Sequence, residues 1–218
     1  MPMHNKLVAL LLVIFVAPYS AQAAPSFPEW HQSIPEEGKE YSILPTQITA
    51  QPKVVEFFSF YCSPCYQFVE KYPVTEAINV VLPEGEVVTK YHVSAMGPLG
   101  KELTEAWAIA IVTDKTHEVE KPLFEAVRNK TLKSTADIQK VFSSFGIDTE
   151  TYEEIRQSLM VKGLVTRQNA AMDSFKVRAT PTFYINGKYR INNASIAAPT
   201  ANDYVDNFAR VVQILLTQ

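Results

Sequence analysis

The chain has 218 residues, 47% of them hydrophobic, and a formal net charge of −3. That is apolar material enough for a packed core, and the mildly acidic balance excludes the basic footprint of a nucleic-acid binder. Cys62 and Cys65 are the only cysteines, which excludes the multi-disulfide framework that staples small secreted domains.

Met1 to Ala23 has the layout of a secretory signal peptide. Lys6, with His4 near it, makes the charged start, Leu7 to Ala17 the apolar segment, and Ala21-Gln22-Ala23 the small-residue cleavage site. The mature chain is expected to begin at Ala24. The apolar run is about 11 residues, against the roughly 20 that a membrane helix needs. No later segment is apolar enough to insert in a membrane. Loss of Lys6 takes the net charge from −3 to −4 and leaves about 195 residues. That length suits one domain with an insertion, or two small domains.

Ala24 to Pro35 is rich in proline and small residues and reads as an irregular arm. Glu40 to Leu44 alternates as a short strand that stops at Pro45. Val54 to Phe60 is apolar on both faces, the pattern of a central strand covered on both sides, and Glu56 is the exception within it. Flanked by Val54, Val55, Phe57 and Phe58, Glu56 is expected to be buried. Burial raises a carboxyl pKa, which suits a proton carrier near neutral pH.

The strand runs straight into Cys62-Ser63-Pro64-Cys65, and a helical pattern begins inside that motif. Cys62 therefore falls at a helix N-terminus, where unpaired N–H groups and the dipole favour an anion. The thiolate is the attacking species in disulfide exchange. Cys62 is thus expected to be the exposed nucleophile and Cys65 the resolving thiol. A zinc site needs four ligands, and His31, His92 and His117 stand at no ligand spacing. An inert disulfide closing so short a loop would constrain the unfolded chain little.

Tyr66, Phe68, Val69 and Tyr72 continue the helix, which Pro73 is expected to kink. Glu86 to Val93 reads as another strand. From Gly100 to about Phe175 nearly every segment has a helical period. Leu103, Ala106, Trp107 and Ala110 share one face, and Pro122 is placed near the start of the next helix, before Leu123, Phe124 and Val127. Ser134 to Asp137 is a capping box before Ile138, Val141 and Phe142. Gly146 ends that helix, Asp148 caps one carrying Ile155 and Leu159, and Val161 to Phe175 continues it. Thr182 to Ile185 and Lys188 to Ile191 form a hairpin around Asn186-Gly187. A second capping box, Thr200 to Asp203, opens an amphipathic helix through Val205, Phe208, Val212 and Leu215.

A strand, a Cys-x-x-Cys helix start and a distant Thr-Pro opening another strand resemble the thioredoxin fold. The helical block between its halves narrows the resemblance to the DsbA-type periplasmic thiol:disulfide oxidoreductases. The match is carried by Glu56 to Phe60, Cys65 to Phe68, Lys90 to Val93, Ala106-Trp107-Ala108, Pro122 to Glu125 and Asn186 to Tyr189. The implied architecture is α/β: a thioredoxin-like first half (24–94), an inserted helical domain (95–169) and a second half (170–218). Removing the insertion is expected to spare thiol reactivity and to weaken client capture.

The resemblance makes Pro181 a cis-proline facing the dithiol, with the backbone of Thr180 free to pair with an extended client. It places Glu56 beneath Cys65 as proton carrier, with Lys90 as its charge partner. Ser63, Pro64 and Arg178 join Thr180 and Pro181 as client-contacting residues. His92 and His117 receive no catalytic role, and Asn129-Lys130-Thr131 and Asn193-Ala194-Ser195 are bare glycosylation patterns. No cofactor beyond the Cys62-Cys65 disulfide is implied. The implied partners are reduced exported proteins and a quinone-linked membrane reoxidase of the DsbB type, for a monomeric periplasmic enzyme. A reductase or isomerase, or a chaperone-like binding module with an incidental dithiol, are the alternatives. One departure stands out: the commonest family dipeptide between the cysteines is Pro-His, and here it is Ser63-Pro64. A helix end alone lowers a thiol pKa by roughly one unit, so a less strongly oxidising pair is expected.

Overall fold

A computed structural model describes residues 34–218; the signal segment and most of the proline-rich arm lie outside the described residues. Five strands, β1 (Tyr41–Ile43), β2 (Val54–Phe58), β3 (Thr89–His92), β4 (Thr182–Ile185) and β5 (Tyr189–Ile191), form one sheet in the order β1-β5-β4-β2-β3. Only β2 and β3 run parallel; the remaining pairs are antiparallel. Every residue of β2 is buried, as its two-sided apolar pattern requires. The period of two splits it. Val54 joins one core with Phe183, Phe208 and Val212, while Val55 and Phe57 join another with Tyr91, Phe175 and Tyr184. Glu56 lies on the Val54 face and sits opposite Lys90 in the parallel register.

The described residues form eight α-helices: α1 (Ser63–Glu70), α2 (Val74–Val81), α3 (Gly100–Val112), α4 (Thr116–Arg128), α5 (Thr135–Ser143), α6 (Thr149–Gln157), α7 (Leu159–Ser174) and α8 (Ala201–Leu216). Helices α3 to α7 fall between β3 and β4 and also close the sheet edge. Lys90 and His92 turn their backbone groups away from β2. Trp107 Nε1 of α3 donates to the Lys90 carbonyl at 2.9 Å, and the His92 N–H donates to Gln168 Oε1 of α7 at 2.9 Å. Side chains thus satisfy an edge that would otherwise expose unpaired backbone groups. Asn186 and Gly187 both have positive φ, 51° and 60°, as the hairpin turn demands. A Cβ on Gly187 would lie 1.9 Å from the Ile48 carbonyl oxygen, so the approach of that loop excludes a side chain as well.

Several boundaries differ from the pattern-based expectation. Pro73 does not kink a helix; α1 stops at Glu70, and Pro73 is the N-cap of a separate helix, α2. A proline has no N–H to continue a helix but fits the start of one. Pro122 lies in the interior of α4 rather than near its start, so the Glu118 carbonyl has no N–H donor four residues on. Ser158, in an extended conformation, separates α6 from α7 and caps α7 by accepting the Val161 N–H at 3.2 Å; Leu159 therefore belongs to α7. That helix runs across the boundary expected at residue 169. The strands are shorter than expected, β3 beginning at Thr89 rather than Glu86 and β2 ending at Phe58. Of the capping boxes, Thr200 accepts the Asp203 N–H. At Ser134 it is instead Asp137 Oδ2 that takes the Ser134 hydroxyl and the Lys133 N–H. No helix of the described residues is long and apolar enough to cross a membrane.

Candidate active site

Cys62 is the N-cap of α1, and its Sγ accepts the Cys65 N–H at 3.2 Å. The same sulfur donates to the Thr180 carbonyl at 3.2 Å, across 118 positions of sequence. The Thr180–Pro181 peptide bond is cis. Both cysteines are free thiols. Cys62, expected to be exposed, is only 5% accessible, with Cys65 at 1%, because the Pro181 loop closes over the sulfur. The two thiols part chemically. The hydrogen bond from Cys65 lowers Cys62 from 9.0 to about 7, with burial opposing and the Thr180 side chain and the Cys65 N–H assisting. Burial, followed by the neighbouring Cys62, pushes the Cys65 thiol far up. The drop at Cys62 exceeds the roughly one unit expected of a helix end, and its largest cause is the Cys65 thiol.

Glu56 is buried, with its Oε2 accepting the Thr75 hydroxyl at 2.9 Å and lying 3.5 Å from Lys90 Nζ. Burial raises its pKa; the Lys90 charge opposes, and the charge of Glu120 adds to the rise. Burial works against the Lys90 ammonium, but Glu56 and Glu120 outweigh it and hold its pKa up. Glu56 bonds to no thiol directly, yet its charge raises both cysteines. Lys90 Nζ also donates to Glu120 Oε1 and lies 5.0 Å from the centre of the Phe58 ring.

His92 braces the loop ahead of the dithiol. Its Nε2 accepts the Phe60 N–H at 3.3 Å, and Nδ1 pairs with the Thr104 hydroxyl at 2.8 Å. Since Thr104 Oγ1 donates to the Gly100 carbonyl, Nδ1 carries the proton. Burial lowers the His92 pKa to about 3, which keeps the ring neutral. Tyr61 packs on Gly97, where a Cβ would sit 2.2 Å from its ring.

Of the residues expected at the site, Cys62, Cys65, Thr180 and Pro181 come together, and Glu56 pairs with Lys90. Ser63 and Pro64 are exposed and line a groove of about 660 Å3 with Gln67, Phe68, Asn193 and Tyr204. Arg178 is also exposed; it lines two other hollows, one with Met96 and Thr180 and one with Pro181 and Asn193, and does not line that groove. Thr75, Glu120 and the Thr104–Gln168 pair carry no motif, and sequence reasoning missed them. Asn193 was legible only as a glycosylation pattern, and its Nδ2 is occupied by the Pro181 carbonyl at 2.9 Å.

A dithiol at the start of a helix fed by a central strand, with a cis-proline closing over the more acidic sulfur, defines a thioredoxin-fold thiol:disulfide oxidoreductase. Residues 53–212 match the DSBA-like thioredoxin domain, and the chain belongs to that family. It is 42% identical over 183 residues to the thiol:disulfide interchange protein DsbA of Yersinia pestis, covering 84% of this chain and 88% of that one. The crystal structure of DsbA from Klebsiella pneumoniae superimposes with a TM-score of 0.82 at 44% identity, covering 84% and 98% of the two chains. A complex of a cysteine-to-serine variant of Proteus mirabilis DsbA with a non-covalently bound peptide, PWATCDS, gives 0.82 at 36% identity, covering 85% and 100%.

Proposed function

We propose that this chain donates its Cys62-Cys65 disulfide to reduced, newly exported proteins in the periplasm and is reoxidised by a quinone-linked membrane partner. The observation that carries the reading is the Cys62 sulfur held between the start of α1 and the Thr180 carbonyl, beside Cys65. A client thiolate attacks Cys62 Sγ; a client–Cys62 bond forms as the Cys62–Cys65 bond breaks. Cys65 leaves as a thiolate, and its unfavourable burial is relieved by a proton from the Glu56 carboxyl. The client's second thiolate then attacks the client sulfur of the mixed disulfide and expels Cys62, a good leaving group because its pKa is low. Two electrons pass from client to enzyme, and solvent returns the Glu56 proton. The Thr180 backbone receives the client as an added strand, with Pro181, Ser63 and Pro64 beside it and Arg178 at the far rim.

Reaction of the reduced protein with iodoacetamide at pH 7, followed by mass mapping, should place the first label on Cys62. Cys62→Ser should abolish oxidation of a reduced client protein. First labelling of Cys65 would reverse the assignment, and a fully active Cys62→Ser protein would make the dithiol incidental to a binding module.

A further inference from the structure

One ammonium and two carboxylates meet between β2, β3 and α4. Lys90 Nζ donates to Glu120 Oε1 and stands 3.5 Å from Glu56 Oε2, which is already engaged by the Thr75 hydroxyl. The Glu56 side chain is 2% exposed and that of Glu120 14%. A single cation does not neutralise two acids, and a buried site that holds an excess negative charge takes up a proton. The proton goes to the acid with less solvent and the weaker hold on the cation. Both criteria select Glu56. The direction of its titration agrees, since burial raises it and, against the pull of Lys90, the Glu120 charge raises it further. The other charges facing this cluster are Glu76 of α2, which acts on Lys90, and the thiols Cys62 and Cys65, on which Glu56 itself acts.

We propose that Glu120 is a positioning residue for the exchange reaction: by engaging the Lys90 ammonium it leaves a proton on Glu56 for delivery to the departing Cys65 sulfur. The family resemblance singles out Glu56 and Lys90 but not Glu120. Glu120 reaches them from α4, within the helical block, so the block contributes a group to the proton supply of the dithiol. The inference rests on the reading of Glu56 as proton carrier.

A carbon-detected NMR titration of the Glu56 carboxyl tests it, in the reduced native protein and in Glu120→Gln and Glu120→Asp. In Glu120→Gln the ammonium turns to Glu56, and the Glu56 midpoint moves to lower pH. Glu120→Asp keeps the competing charge and stays close to the native midpoint. In parallel, the rate at which a reduced peptide opens the Cys62–Cys65 disulfide at pH 7 falls by about threefold or more in Glu120→Gln, because an ionised Glu56 has no proton to give. A Glu56 midpoint that stays in place in Glu120→Gln, or moves as far in Glu120→Asp, overturns the proposal. A displaced midpoint with an unchanged opening rate overturns the proton-carrier reading instead, while the hold of Glu120 on Lys90 stands.

Discussion

Glu56 is the residue at which sequence and chemistry meet most directly. A carboxyl in an apolar strand costs stability when ionised, and the fold leaves it in place with only Thr75 and Lys90 to satisfy it. Its titration then links to folding with a definite sign. The folded carboxyl holds its proton more tightly than the unfolded chain, where the value is 4.5. Below about that pH both states are protonated and the group is neutral in effect. As pH rises through the raised folded value, the native protein loses stability that a glutamine in its place would keep. Glu56→Gln should therefore equal the native protein in urea unfolding near pH 4 and exceed it at pH 7, with Lys90 still paired to Glu120. A loss of several kcal/mol at pH 7 would mean instead that the ionised Glu56–Lys90 pair is structural.

At the scale of elements, the strand that feeds Cys62, the Asn186-Gly187 hairpin and α8 were legible because strong local signals agreed with their final environments. Burial of Glu56 followed from its neighbours in β2 alone. What stayed hidden was set by neighbours distant in sequence. Helix α2 is only eight residues, Val74 to Val81, and its order comes from packing on α8 more than from its valines and asparagine. The proline inside α4 reads locally as a helix start, and only the packed faces of Val119, Leu123 and Phe124 carry the helix through it. Glu120 is one of many surface-like acids until α4 is laid against β3. The β3 edge makes the same point. Its outward carbonyl at Lys90 is satisfied by Trp107, 17 residues away, a pairing that no local pattern announces. Trp107→Phe keeps most of the ring volume and removes the donor, so it should cost about 1–3 kcal/mol in urea unfolding. A loss under about 0.5 kcal/mol would show that water replaces the indole at that carbonyl.

For the molecule as a whole, the helical block is continuous with the site it surrounds. A single core joins Phe58, Phe60, Cys62 and Cys65 to Leu103, Trp107, Leu123, Phe124 and Phe142. Phe60 stands 4.9 Å from Phe124 and stacks on His92 at 5.1 Å, between ring centres. His92 in turn depends on Thr104 and Gln168 for its tautomer and its backbone partner. The sequence pattern suggested an insertion that could be removed with the thiol chemistry intact; the packing argues otherwise. Without α3 to α6, Phe58, Phe60 and Trp107's partner strand lose their cover, and each large buried ring stripped of its neighbours costs several kcal/mol against a total stability of only about 5–15 kcal/mol. We expect the native protein to melt in one calorimetric transition, its van't Hoff and calorimetric enthalpies agreeing. A chain in which a short linker replaces residues 95–169 should fail to fold cooperatively, and its thiols should titrate near the unperturbed 9.0 rather than with a Cys62 midpoint of about 7. Thiolate absorbance against pH reads that difference directly. A cooperative melt in the shortened chain, with the acidic midpoint preserved, would establish the block as a separate module added to a self-sufficient thiol site.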